Sequence, residues 1–333
     1  MGDLPVENMY RVLESVLRPL AYWYNQDNVE DVAVNNPGGI WLRLRGRHAH
    51  PWHFYEDPKL TREYLVNLLH IIANSYNMAF DPVNGNPVVF TQLPGGHRFT
   101  GIAGNNVQYD NNDLTGGVAL DIRIWRPDQP IKLKEFGLES GERLQRINKL
   151  KGVEDPDDPY DRLVMYIKRG NHILVSGGTA TGKTTFLNNM IQLLDEHKRI
   201  ITIEDTRELI VKQPNHVHLV VSRTEATNTF TYANVIDLVV RFTPDAILGG
   251  EISTTNANAI WKLMNSGHEN CFATIHAADP DEAYRAFIGR IAESNHQSFS
   301  GSEEEKLFKE MKDKLRVVQI NRNGNIRAIT EIT

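Results

Sequence analysis

Apolar and polar positions change their period along the chain, and each change marks an element. Between Met9 and Leu20 the apolar residues Met9, Val12, Leu13, Val16, Leu17 and Leu20 recur at helical spacing, close on Trp23-Tyr24, and carry Pro19 as a kink. The polar face is not rich in Lys or Arg, so the helix is expected to pack on its own domain rather than lie on a membrane. Val32-Ala33-Val34 then meets Asn35-Asn36-Pro37-Gly38-Gly39, and alternation resumes at Ile40-Trp41-Leu42-Arg43-Leu44, which predicts two strands around a turn. A helix at 61–76 and strands at 87–93, 97–101 and 118–125 complete a small α+β domain, residues 1–134.

Pro127-Asp128-Gln129-Pro130 and the run from Gly152 to Pro159 bracket a linker, placed at 135–159, with a charged helical segment between them. From Tyr160 onward short apolar runs alternate with amphipathic helices, the pattern of an α/β domain with a parallel-rich sheet, residues 160–333. A helix is expected at 281–291 and a charged one at 300–314, where Glu303-Glu304-Glu305 reads as a solvated face or a subunit contact. Val317 to Ile320, Asn323-Gly324 and Ile326 to Ile329 form a hairpin that closes the fold. Two domains also follow from 333 residues, since single cores rarely exceed about 250–300.

The strongest chemical signal interrupts one of those apolar runs. Ile173-Leu174-Val175 breaks into Gly177, Gly178, Thr179, Ala180, Thr181, Gly182, Lys183, Thr184 and Thr185, after which Phe186, Leu187, Met190, Ile191 and Leu194 fall on one helical stripe. Strand, loop and helix together define a phosphate-binding P-loop. Its glycines let backbone N–H groups turn inward, Lys183 supplies a compact cation for the β- and γ-phosphates of ATP, and Thr184 can hold Mg²⁺. Three further apolar strands end in polar residues: Arg199 to Ile203 at Glu204-Asp205-Thr206, Ala246-Ile247-Leu248 at Gly249-Gly250-Glu251, and Phe272 to Ile275 at His276. Ligands of open α/β sheets sit beyond the carboxyl ends of strands, so these termini are expected to converge on the triphosphate.

Charge and cysteine usage narrow the class. A net charge of −6 argues against a surface that wraps nucleic acid, and no sequence-specific nucleic-acid binding is expected. The lone Cys271 excludes an internal disulfide and a thiolate zinc cluster, fits a reducing cytosol, and sits in an apolar run as a core residue. His48, His50 and His53 cluster in RHAHPWH, but no carboxylate or cysteine completes a recognisable metal spacing. No stretch approaches the roughly 20 apolar residues of a membrane span, and the expected location is cytoplasmic.

Four segments in order, Gly177 to Thr184, Ile203-Glu204-Asp205-Thr206, Pro244 to Glu251 and Ser266 to Ala277, resemble the Walker A, aspartate box, Walker B and histidine box of the hexameric traffic ATPases of type IV secretion systems. The first domain matches more loosely, through Asn35-Asn36-Pro37-Gly38, Leu93 to Arg98 and Asp121-Ile122-Arg123. The resemblance implies a ring of six, each subunit an N-terminal domain joined to a RecA-like ATPase domain. It implies further that Lys183 and Thr184 bind phosphate and Mg²⁺, that Glu251 polarises the attacking water, that Glu204 and Asp205 organise metal and water, and that His276 senses the γ-phosphate. Arg98 and Arg123 match family arginines that reach the phosphates, a task suited to a permanently charged, bidentate group. Partners implied are other secretion ATPases and inner-membrane channel subunits, with peripheral contact at the inner face of the inner membrane left open. The chain departs from the family at Ser253, where an arginine is common; Arg207, Arg241 or Arg285 are the substitutes considered. A type IV pilus assembly or retraction ATPase and a nucleotide-gated scaffold without significant turnover stay open as alternatives, whereas a tetracysteine-bearing type II assembly motor does not.

Overall fold

The structure is a computed structural model that describes residues 6–46, 50–110, 116–129, 154–221, 229–323 and 326–333. The charged segment and most of the linker fall outside the described residues, as do His48 and the Gly324 turn.

Helix α1 (Val6–Tyr24) buries Leu13, Leu17 and Leu20 against its own domain, as its stripe requires, and keeps Pro19 inside. Strands β1 (Val29–Val34), β2 (Gly39–Leu44) and β3 (Trp52–Glu56) follow, then α2 (Arg62–Ser75), β4 (Val88–Gln92), β5 (Arg98–Gly104), the two-residue β6 (Val107–Gln108) and β7 (Gly117–Arg123). Thr61 caps α2 by accepting from the Tyr64 amide at 3.1 Å, a contact worth about 1 kcal/mol. Six of these strands form an antiparallel sheet in the order β3-β2-β1-β7-β5-β4, with α1 and α2 sharing its core.

The second half runs α3 (Pro159–Lys168), β8 (His172–Ser176), α4 (Lys183–Ile191), β9 (Ile200–Glu204), β10 (His216–Val220), α5 (Tyr232–Arg241), β11 (Ala246–Glu251), α6 (Ala257–Met264), β12 (Cys271–Ile275), α7 (Pro280–Ser294), α8 (Gly301–Lys314), β13 (Leu315–Asn323) and β14 (Ile326–Ile332). Strands β8, β9 and β12 are buried along their whole length, which is why they read as continuous apolar runs rather than alternations. The sheet order is β14-β13-β8-β12-β11-β9-β10-β6, parallel from β13 to β10 and antiparallel at both edges. Separate apolar clusters cover its two faces.

The outermost strand of that sheet, β6, belongs in sequence to the first half. Val107 and Gln108 pair with Leu219 and His218 of β10, so the two halves share a continuous sheet. A second joint is Arg199, with no exposed surface. Its Nη1 donates to Asn35 and Asn215 at 2.9 and 2.8 Å, its Nε donates to the Phe242 carbonyl, and its guanidinium lies 5.0 Å from the Trp52 ring centroid. Asp121 stands 3.8 Å away, its carboxyl pushed up by burial and by Asp31 against the pull of Arg199.

Candidate functional site

The parallel order sets the site. Strand β8 delivers the P-loop, β12 beside it ends at His276, β11 next ends at Glu251, and β9 beyond ends at Glu204. Strands lie about 4.8 Å apart, so Glu251 stands two strands from the P-loop strand and Glu204 three.

Gly182 occupies the position before α4 with φ of 92°, a left-handed conformation that glycine adopts without strain. No side chain caps α4 and no acidic residue sits in its first turn, so its leading N–H groups and helix dipole are open to an anion. Gly177 is required by close approach: a Cβ there would lie 2.4 Å from the Ile320 carbonyl oxygen. The Lys183 ammonium donates to the carbonyls of Gly177 and Gly178, each at 2.9 Å, and to His276 Nδ1 at 3.1 Å. Burial holds its pKa below the ordinary range, with Arg290 adding to the depression and Glu251 opposing it. Because His276 Nδ1 accepts from a cation, its proton resides on Nε2, which faces Glu251 at 3.7 Å. Burial and the nearby Lys183 lower the His276 pKa, which keeps the ring neutral.

Glu251, 37% exposed at its side chain, is open to water. The turn behind it is held by Asn256, whose amide donates to the Glu251 carbonyl and whose oxygen accepts from the Ser253 amide. Ser253 therefore sits within a hydrogen-bonded turn. The three considered substitutes for an arginine there are engaged elsewhere: Arg207 with Asp110, Arg241 over the Phe90 ring, Arg285 with Glu304. A fourth arginine, Arg290 of α7, lies near the turn. It donates to the Ile252 carbonyl at 2.8 Å and acts electrostatically on both Lys183 and His276. On the sequence it is one more arginine on a helix.

A cleft of about 580 Å³ opens over the loop, lined by Gly178, Thr179, Thr181, His276, Glu282 and Arg322 among others. Arg322 pairs across the hairpin with Arg327, whose Nη1 lies 3.2 Å from where a Cβ on Gly182 would stand. The hairpin ends the fold as expected, and it also brings two guanidinium groups to the phosphate loop. The only signal for them was register, because facing positions on β13 and β14 bring both arginines to one place.

Two expected roles meet a different geometry. Glu204 is buried, with Oε1 accepting from the Glu208 and Leu209 amides at 2.7 Å each and Oε2 from Thr202 at 2.9 Å. Through these bonds the carboxylate orders the segment after β9, beside the half-buried Asp205. Arg98 and Arg123 face each other across β5 and β7. Arg123 grips both oxygens of Asp31, at 2.7 and 3.2 Å, and the charges acting on Arg98 are Arg123, Arg241, Asp121 and Asp31. Arg241 closes α5, at the amino end of β11, so both arginines gather at the end of the sheet opposite this chain's own P-loop. His50 of the histidine cluster stacks on His197, 3.3 Å between centroids. Cys271 is fully buried, its thiol pushed up to about 12.

Residues 18–288 match the family described as type II/IV secretion system protein. Protein VirB11 of Agrobacterium fabrum is 28% identical over 298 residues, 85% of this chain and 82% of that one. The type IV secretion system protein PtlH of Bordetella pertussis is 30% identical over 285 residues, 80% and 78% of the two chains. The crystal structure of the VirB11 ATPase from the Brucella suis type IV secretion system, in complex with sulphate, shares the fold with a TM-score of 0.82 at 22% identity, covering 99% of this chain and 96% of that one. With a P-loop at the carboxyl end of a parallel sheet, and a family match across most of its length, the chain belongs to the type II/IV secretion system protein family.

Proposed function

We propose that the chain is an ATP-hydrolysing motor of a type IV secretion system, acting as a ring of six at the cytoplasmic face of the inner membrane. The observation that carries this reading is the line Lys183, His276, Glu251 across three neighbouring strand ends, a phosphate cation joined through a neutral imidazole to a solvent-reached carboxylate. The secretion proteins VirB11 and PtlH among its relatives support the biological setting.

The amides at the start of α4 and Lys183 take the β- and γ-phosphates of ATP, and Thr184 holds Mg²⁺, which when bound neutralises charge on the phosphates. Glu251 accepts a proton from, or orients, the water that attacks the γ-phosphorus. Lys183 leaves His276 when it turns to phosphate, so His276 changes partner with nucleotide state, and that difference in contacts is what a switch requires. Arg290, Arg322 and Arg327 add positive charge around the loop. Arg98 and Arg123, remote from their own P-loop, reach phosphate only on a neighbouring subunit in such a ring. Six copies that complete one another's sites would couple hydrolysis to movement of the N-terminal half.

Purified protein tests the assignment through two variants. Lys183→Ala is expected to abolish Mg²⁺-dependent ATP hydrolysis. Glu251→Gln is expected to lower kcat by about 10²–10⁴-fold while ATP affinity changes by less than about threefold. Turnover that survives Glu251→Gln unchanged removes Glu251 from the chemistry.

A further inference from the structure

Away from the P-loop, three side chains converge at the seam between the two halves. Asp110 follows β6, and His216 and His218 are two residues apart on β10, hence on one face of the strand. Their ligand atoms all lie within 4.8 Å of one another. His216 Nε2 is 2.9 Å from Asp110 Oδ2, and His218 Nε2 is 3.2 Å from Asp110 Oδ1.

The opposite side of each ring decides what these Nε2 atoms carry. His216 Nδ1 lies 2.6 Å from the Gln213 carbonyl, which only accepts, so that nitrogen bears a proton. His218 Nδ1 lies 2.8 Å from Thr202 Oγ1, and the Thr202 hydroxyl donates onward to the buried Glu204 carboxylate at 2.9 Å. The hydroxyl has one hydrogen, so His218 Nδ1 donates to it. When neutral, both rings aim Nε2 lone pairs at carboxylate oxygens, an arrangement that repels unless a proton or a metal cation lies between. Protonating both rings would place two imidazolium ions with centroids 4.8 Å apart, one of them on the fully buried His218. The Nε2 of His218 makes no hydrogen bond of good geometry among the described residues, although Asp110 is beside it. Arg207, 3.1 Å from Asp110 Oδ1 and 3.7 Å from Glu204 Oε2, offsets only one of the two carboxylate charges.

We propose that Asp110, His216 and His218 form a divalent transition-metal site, zinc by its donors, that staples the loop after β6 to the ATPase sheet. Two imidazole nitrogens and one carboxylate oxygen are a donor set for Zn²⁺ and its late first-row neighbours, while hard Mg²⁺ and Ca²⁺ prefer oxygen alone. Both histidines already have the outer partners that fix metal-binding tautomers, the Gln213 carbonyl and the Thr202–Glu204 relay. Asp110 is 57% exposed, so solvent can complete the coordination and metal can enter from that side. The site gives buried Glu204 a role that does not involve the nucleotide. It also explains why a two-residue strand suffices as the joint.

The test uses the full chain without a polyhistidine tag, stripped with chelator, dialysed against zinc and analysed for bound metal, with melting temperature measured in parallel. One zinc per chain and a raised melting temperature are expected, with uptake lost in His218→Gln and in His216→Gln. Thr202→Val is expected to weaken zinc by about 10–100-fold. His216 is the safer substitution should His218→Gln fail to fold, because its ring reaches the surface. Lys183→Ala should take up zinc as the unsubstituted chain does, which separates this site from the nucleotide site. No uptake, or uptake unchanged in a folded His216→Gln variant, overturns the proposal and leaves a proton-bridged Asp–His pair.

Discussion

Single residues at the P-loop act through what each denies the others. Lys183 is held off its ordinary pKa by burial, and His276 stays neutral because burial first, and then the charge of Lys183 beside it, disfavour a second cation. Arg322 and Arg327 meet the same loop from outside it. Charge-assisted bonds to phosphate are worth about 1.5–3 kcal/mol, so Arg322→Ala and Arg327→Ala are each expected to weaken ATP binding by roughly 10-fold or more, with Lys restoring part of it. Equilibrium titration with a fluorescent ATP analogue reads this directly, and unchanged affinity in both variants would remove the hairpin from the site. His172 offers a pH test: its Nδ1 accepts from the Cys271 amide at 3.1 Å and its Nε2 faces the Met264 carbonyl at 3.0 Å, so the folded ring is neutral and burial sets its pKa below the ordinary 6.5. The unfolded chain then binds a proton that the folded chain refuses. Stability from this group is present above pH 6.5 and falls as pH drops below it. The melting-temperature gap between the protein and His172→Gln should narrow from pH 8 toward pH 5; a gap independent of pH contradicts this reading.

At the scale of elements, what the sequence showed and what it hid have physical causes. The P-loop was legible because a glycine run between an apolar strand and an amphipathic helix serves few purposes other than phosphate binding. The ends of β9, β11 and β12 were legible as well, since polar residues closing fully apolar strands have nowhere to go but the sheet's carboxyl edge. Strand β10, His-Val-His-Leu-Val, was not picked out, because two histidines dilute its apolar signal, and β6 has two residues and no period at all. Arg290 was hidden because a helical arginine carries no mark of which carbonyl it will cap. Arg98 and Arg123 stood out only through the family resemblance, and which phosphates they could meet depends on how the halves dock, of which local pattern says nothing. The β13–β14 hairpin shows the same limit, since its role comes from packing on Gly177 and Gly182. A methyl group on Gly177 would collide with the Ile320 carbonyl, so Gly177→Ala is expected to push the hairpin and loop apart and weaken ATP binding about 10-fold or more. Tight binding retained by that variant would show the close approach to be dispensable.

Across the whole molecule the two halves are tied at separate points, by the shared β6–β10 edge and by Arg199. Removing a buried cation strands its partners, so Arg199→Met is expected to cost about 3–5 kcal/mol in chemical denaturation unless Asp121 is neutralised with it. The double variant Arg199→Met with Asp121→Asn should recover much of that loss, and equal losses in both would show that Asp121 is not the stranded partner. Among the described residues no helix is long and apolar enough to cross a membrane. The ring is the larger claim, since one chain leaves Arg98 and Arg123 away from its own P-loop. The measurement that tests the central claim most directly is Mg²⁺-dependent ATPase activity across protein concentration, with the mass in solution followed alongside and Lys183→Ala as the control. The account predicts activity per chain that rises as hexamers form and disappears in Lys183→Ala; ATP binding without hydrolysis at any concentration would contradict it.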